Sequence, residues 1–154
     1  MKSLNPLYAT LLTGALLIPL AVASTKNEPV ADTKPLATLL ESVQSMDIGV
    51  ITEAEYEHKF WEIKVCENKG CQKLYIDPVT GSEKQRANSE QEEMPPENAL
   101  PVSAIVRSVE ARGWDRINEI EFDHGLWEIE GYQNSHKQKL QLPVSWLRSS
   151  HILY

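Results

Sequence analysis

The sequence predicts an α+β protein built from two tandem α-β-β-β units, each a helix packed on a three-stranded antiparallel meander. Three observations predict this fold. The chain has 154 residues, which suits one ordinary domain or two very small ones. It contains two nearly identical stretches, "EYEHKFWEI" at 55–63 and "EFDHGLWEI" at 121–129. Each stretch follows a helical stripe of apolar residues and precedes an alternation of apolar and polar residues.

The first 23 residues are typical of a secretory signal peptide. Lys2 gives a positive start, residues 11–22 are mostly apolar, and the small residues "AVA" end at Ala23. We therefore expect cleavage after Ala23, a periplasmic or secreted location, and no membrane insertion once the signal is removed.

The rest of the chain repeats itself without gaps. Pro35 aligns with Pro101, and Trp61 aligns with Trp127 at the same spacing. This repeat predicts one unit at 32–82 and a second at 98–148, joined by a polar, proline-containing linker at 83–97. A unit of about fifty residues is marginal alone. The two units are expected to share a core or to dock side by side, which can form one continuous sheet.

A helix is predicted at the start of each unit. Apolar residues recur with the spacing i, i+3, i+4, i+7 in both copies, at Leu36, Leu39, Leu40 and Val43 and at Val102, Ile105, Val106 and Val109. Asp32 and Asn98 stand at matching positions as candidate N-caps.

Three short strands follow each helix, and their register can be predicted. A two-residue turn at 58–59 pairs Tyr56 with Trp61. The equivalent turn at 124–125 pairs Phe122 with Trp127. These registers place the large apolar residues on one face, so we expect both tryptophans in the core.

The two cysteines, Cys66 and Cys71, are predicted to form a disulfide, because an exported chain meets an oxidising compartment. A zinc site would need two further ligands, which the neighbouring sequence does not supply. The bridge also fits the hydrophobic pattern, since opposing the cysteines places Ile63 opposite Leu74 on the apolar face.

The charge and the motifs restrict the function. The formal net charge is −7, and it becomes one unit more negative after removal of Lys2. Such a surface disfavours nucleic acid and anionic membranes and favours cationic partners. The chain carries no catalytic motif, so we expect no enzyme activity and no cofactor. His58 and His124 are interpreted as turn residues rather than metal ligands, so no metal site is predicted.

The polar face of the predicted sheet is the candidate partner-binding surface. In the predicted register Glu55 lies opposite Glu62, and Glu121 lies opposite Glu128. Like charges in such positions are mildly destabilising, and the same cost appears in both copies. These four glutamates, together with Tyr75, are the predicted binding residues.

The order of elements and the closing stretch "LYIDPVTGS" (74–82) resemble the PepSY family, whose units end in an Asp-x-x-Thr-Gly turn, here Asp77, Thr80 and Gly81. The resemblance covers residues 35–82, and more weakly 101–148, where "QLPVSWLRS" lacks that Asp and Gly. It implies a module without catalytic residues, of the kind found in propeptides that chaperone and inhibit secreted metalloproteases. The paired architecture is also similar to that of the β-lactamase inhibitor protein, whose helices back a concave sheet that grips a partner.

The sequence thus predicts an exported, non-enzymatic protein-binding or inhibitory module acting on a periplasmic or secreted partner, such as a protease or an envelope sensor. The alternative is a small-cation or ligand binder that uses the acidic sheet face.

Overall fold

The computed structural model describes residues 32–145 of the chain. Within them lie two helices, α1 (Leu36–Gln44) and α2 (Val102–Glu110). The strands are β1 (Val50–Glu57), β2 (Phe60–Glu67), β3 (Gly70–Ile76), β4 (Glu83–Ser89), β5 (Trp114–Asp123), β6 (Leu126–Gln133) and β7 (His136–Pro143). The predicted signal peptide and residues 146–148 of the predicted second unit lie outside the described residues.

All seven strands form one antiparallel sheet in the order β4-β3-β2-β1-β5-β6-β7. The mixed helix-and-sheet class is therefore as predicted, and the sheet is continuous. Buried residues from both halves of the chain belong to one hydrophobic cluster. The division into two tandem units stays a prediction, whereas the core is shared.

The helices begin at Leu36 and Val102, and their N-cap residues are Pro35 and Pro101, without a side-chain capping bond. The prediction of Asp32 and Asn98 as caps is therefore wrong. The proline ring fixes φ near the helical value, which suits the start of a helix even without a capping side chain. The apolar stripe of each helix is buried, as its spacing predicted.

The predicted strand registers are confirmed. Tyr56 pairs with Trp61 and Phe122 pairs with Trp127. Both tryptophans are at most 2% exposed, and each ring meets its aromatic partner edge-on, with centroids 5.5 and 5.2 Å apart. Such pairs add stabilisation beyond the burial of area.

The β2–β3 hairpin also has the predicted register. Ile63 lies opposite Leu74, and Cys66 lies opposite Cys71. The two cysteines are joined in a disulfide with their Cα atoms 4.0 Å apart. The bridge therefore closes the hairpin end without displacing the apolar pairs next to it.

The first half contains a fourth strand that the sequence did not predict. Residues 83–89, expected to begin a linker, form β4 along the edge of β3. The chain reverses at Asp77, whose Oδ1 accepts hydrogen bonds from the backbone N–H groups of Val79 and Thr80, both at 2.9 Å. The strand was missed because its residues are almost all polar. An edge strand that covers no core shows no apolar alternation.

The two halves meet where β1 pairs with β5. Three residue pairs form this junction, Glu53 with Glu121, Ala54 with Ile120, and Glu55 with Glu119. Ala54 and Ile120, which the repeat aligns with each other, are fully buried at its centre. Side chains alternate along a strand, so the glutamates on either side of this pair point away from the core.

We predict that Trp61→Ala and Trp127→Ala each lower the free energy of unfolding by about 3–5 kcal/mol. Because the core is shared, each variant should still unfold in one cooperative transition. Urea denaturation followed by circular dichroism checks both points. Separate transitions for the two halves would contradict a shared core.

Candidate functional site

The sheet face opposite the helices is strongly acidic, and we call it the acidic outer face. Two rows of paired residues cross it from strand to strand. The first row is Tyr75, Glu62, Glu55, Glu119 and Glu130. The second row is Lys73, Lys64, Glu53, Glu121 and Glu128. The first row therefore places four glutamates on four consecutive strands.

Lysines neutralise the two flanks of this face. Lys73 Nζ lies 2.7 Å from Glu62 Oε2, and Lys139 Nζ lies 2.7 Å from Glu128 Oε2. Glu62 is 6% exposed, so the predicted solvent-facing pair of Glu55 and Glu62 has the predicted register but not the predicted exposure. The ion pair with Lys73 explains why a carboxylate is tolerated at this buried position.

A third lysine neutralises part of the second row. Lys64 Nζ lies 2.5 Å from Glu53 Oε2 and also contacts Glu92. Glu92 belongs to the segment that follows β4, so this segment reaches across to β2. It also approaches β1, where Thr52 Oγ1 donates a hydrogen bond to Glu92 Oε2 at 3.4 Å.

Glu55, Glu119 and Glu121 remain between these flanks, and we call them the central carboxylates. The lysines of this face form their ion pairs with the glutamates around these three and not with the three themselves. Burial, together with the negative charges of Glu55 and Glu130, raises the pKa of Glu119 to about 7. In this environment the protonated form of a carboxyl group is favoured, unless a cation beside it stabilises the ionised form.

The other two central carboxylates are shifted in the same direction. Burial raises the pKa of Glu55, with a further increase from its acidic neighbours Glu57 and Glu53. Burial also raises the pKa of Glu121, and Glu53 again adds to the effect. The middle of the face therefore concentrates negative charge, which Lys73 and Lys64 offset only in part.

The structure separates the five predicted binding residues into two groups. Glu55 and Glu121 lie in the centre of the face, whereas Glu62 and Glu128 lie on the lysine-bearing flanks with Tyr75 beside Glu62. Sequence reasoning placed Glu119 on the polar face but did not select it as a binding residue, although its carboxyl group has the most strongly shifted pKa of the face. It could have been found only from the β1–β5 pairing, which places it directly opposite Glu55.

The histidines at the hairpin tips adopt the turn conformation that was predicted. His58 and His124 have φ values of 49° and 50°. The sequence interpretation did not anticipate the surroundings of His58, whose Nδ1 lies 3.6 Å from Glu57 Oε2 and 3.8 Å from Glu62 Oε1. Both glutamates lie near the same imidazole, because Glu57 directly precedes His58 and Glu62 follows it by four residues, on the paired strand.

Comparison with known proteins gives one family match. Residues 86–142 match the PepSY_2 family model, described as "Peptidase propeptide and YPEB domain". The match confirms the PepSY resemblance, and it covers the chain from within β4 to β7. It does not include the first half, where the Asp-x-x-Thr-Gly turn made the resemblance clearest in the sequence.

No curated protein matches the chain. A solved structure from Clostridium difficile 630, of a protein whose description names a lipoprotein, is similar with a TM-score of 0.41 at 8% sequence identity. That similarity covers 70% of this chain and 83% of the other. No helix in the described part of the chain has the length and apolarity that a membrane crossing requires.

We predict that stability falls as the pH rises from about 4.5 to 7. The pKa of Glu119 is raised from 4.5 to about 7 in the folded protein, so the folded state holds a proton that the unfolded state releases. Glu119→Gln should remove this loss and raise the free energy of unfolding by about 1 kcal/mol near pH 8, allowing for solvent screening. Near pH 4 it should have no effect. Urea denaturation at both pH values checks this, with exposed Glu67→Gln as the control. Equal effects of Glu119→Gln at both pH values would contradict it.

We also predict that the two flanking lysines differ in their contribution to stability. Lys73→Met leaves the buried Glu62 carboxylate without its cation and should cost about 1–3 kcal/mol. Lys139→Met affects the more exposed Glu128, where solvent screens the ion pair, and should cost less than Lys73→Met. Thermal and urea unfolding of both variants test this order. A larger loss for Lys139→Met would show that Glu62 does not depend on Lys73.

Proposed function

From the PepSY match at residues 86–142 and the charge of the sheet, we propose that this protein is an exported, non-enzymatic protein-binding module. Its acidic outer face receives a basic segment of a periplasmic or secreted partner. The observation that carries the proposal is the position of the central carboxylates, which lie together at the β1–β5 junction while lysines neutralise the carboxylates around them.

A lysine or arginine side chain fits this position for an electrostatic reason. Burial first, and then the negative charge of Glu55, raise the pKa of Glu119, so the ionised form of this carboxyl group is unfavourable in the free protein. A partner's guanidinium or ammonium group placed between Glu119 and Glu55 would stabilise that form in the bound state only. Complementary charge of this kind also speeds and orients the encounter of two proteins.

The family supports a partner rather than a substrate. The PepSY resemblance implies modules that hold or inhibit an enzyme and that carry no catalytic residues of their own. We further propose that the module inhibits its partner, that the partner is a protease or an envelope sensor, and that binding takes place in the periplasm. The predicted signal peptide at residues 1–23 supports the export.

The alternative of a small cation held by the central carboxylates of the acidic outer face has less support. In the described part of the chain, the side chains whose ligand atoms converge on one point are Glu57, His58 and Glu62. They lie at the β1–β2 hairpin and do not include the central carboxylates. The central carboxylates stand on neighbouring strands, so the strand spacing separates them. This arrangement suits several basic side chains of a partner better than a single ion.

We predict that the protein binds a short lysine- and arginine-rich peptide and that the complex weakens steeply with added salt. The triple variant Glu55→Gln, Glu119→Gln, Glu121→Gln should weaken binding by at least about ten-fold, which is about 1.4 kcal/mol. Fluorescence anisotropy of a labelled peptide over a salt series measures both effects.

The matched control removes the same charge elsewhere. The residues Glu67, Glu90 and Glu97 are exposed and do not pair with a central carboxylate in the sheet. Their change to glutamine should alter affinity by less than about two-fold. Equal losses of affinity in the two triple variants would show that binding depends on net charge and not on the central carboxylates. An unchanged affinity in the central variant would place the binding surface elsewhere.

A further inference from the structure

We propose that the β1–β2 hairpin binds a divalent transition-metal ion of the zinc type, with Glu57, His58 and Glu62 as its ligands. One ligand atom from each of these side chains lies within 4.8 Å of the others. One imidazole nitrogen and two carboxylate oxygens form a donor set that zinc accepts, and three protein ligands leave a position for water or for a group of a bound partner.

The distances fit an ion of this size. His58 Nδ1 lies 3.6 Å from Glu57 Oε2 and 3.8 Å from Glu62 Oε1. Metal bonds of about 2.0–2.1 Å in tetrahedral geometry separate two ligand atoms by about 3.3 Å. The two distances from His58 therefore need to close by only a few tenths of an ångström, and the ligand atoms of Glu57 and Glu62 lie within 4.8 Å of each other. His58 is 77% exposed, so its ring has room to turn towards both carboxylates.

Glu62 is held as an oriented ligand. Its side chain is 6% exposed, and Lys73 fixes Oε2 at 2.7 Å, which leaves Oε1 facing the imidazole. Carboxylate ligands of metal ions are commonly oriented in this way, by a neighbouring side chain that hydrogen-bonds to one oxygen and leaves the other for the ion.

The second hairpin carries an equivalent set, which shows what distinguishes the first. Asp123, His124, Glu128 and Lys139 align in the repeat with Glu57, His58, Glu62 and Lys73. In the second hairpin, however, both oxygens of Glu128 are occupied, since Lys139 binds Oε2 and Gln141 donates a hydrogen bond to Oε1. His124 Nδ1 is turned to Asp123 at 2.5 Å.

The difference follows from one aligned position. Tyr75 of β3 lies opposite Glu62, where Gln141 of β7 lies opposite Glu128. The shorter amide of Gln141 reaches the carboxylate beside it, whereas Tyr75 makes no such bond to Glu62. The first hairpin therefore keeps one carboxylate oxygen available for an ion.

The test is a titration of the purified chain, free of any histidine tag, with zinc chloride in metal-free buffer. Isothermal titration calorimetry should show one ion bound with micromolar affinity. His58→Asn keeps a residue that tolerates the positive φ of the turn and should weaken this site by at least about ten-fold. His124→Asn is the matched control and should change it by less than two-fold.

Two further measurements identify the ligands. Cobalt(II) should give the visible absorption of a low-coordinate site in the unchanged chain and not in His58→Asn. Tyr75→Gln, which introduces the competing amide of the second hairpin, should also weaken zinc binding. Absence of zinc binding at 100 μM, or equal loss in His58→Asn and His124→Asn, would overturn the proposal. His58 is not a central carboxylate, so these outcomes are independent of peptide binding.

Discussion

The pairing of β1 with β5 joins the two halves of this protein, and it does so through three residue pairs. Without it each half would be a unit of about fifty residues, which has little surface to bury and is marginal in stability. With it the buried side chains of both helices and of the sheet form one cluster. The strand junction with the fewest paired residues therefore lies within the core that the two halves share.

The same pairing creates the acidic centre. Ala54 and Ile120 point into the core, so their neighbours on both strands must point outward. Those neighbours are glutamates, and antiparallel pairing places Glu55 against Glu119. Like charges opposite each other cost a few tenths of a kcal/mol when exposed, which is small beside the burial of a single large core residue. The core and the charged face are thus fixed by one register and cannot be changed independently.

The sequence predicted what lies inside each meander better than what joins them. The registers of Trp61 with Tyr56 and of Cys66 with Cys71 follow from local turns and from alternation, both of which can be read within about ten residues. The β1–β5 pairing links distant strands whose outward residues carry like charge, so no local pattern favours it. The polar strand β4 gave no apolar signal either. For this reason Glu55 and Glu121 were found as site residues, whereas Glu119 was not.

The order of the strands explains why the acidic charge is concentrated at the centre rather than spread across the sheet. Lys73 and Lys139 stand on β3 and β7, and each neutralises a glutamate on the next strand inward. Glu55 and Glu119 lie one strand further in, beyond the ion-pair distance of either side chain. Had the halves met along β3 and β7 instead, these lysines would occupy the middle and the glutamates the edges. The junction at β1 and β5 therefore sets the sign of the charge that a partner meets at the centre of the face.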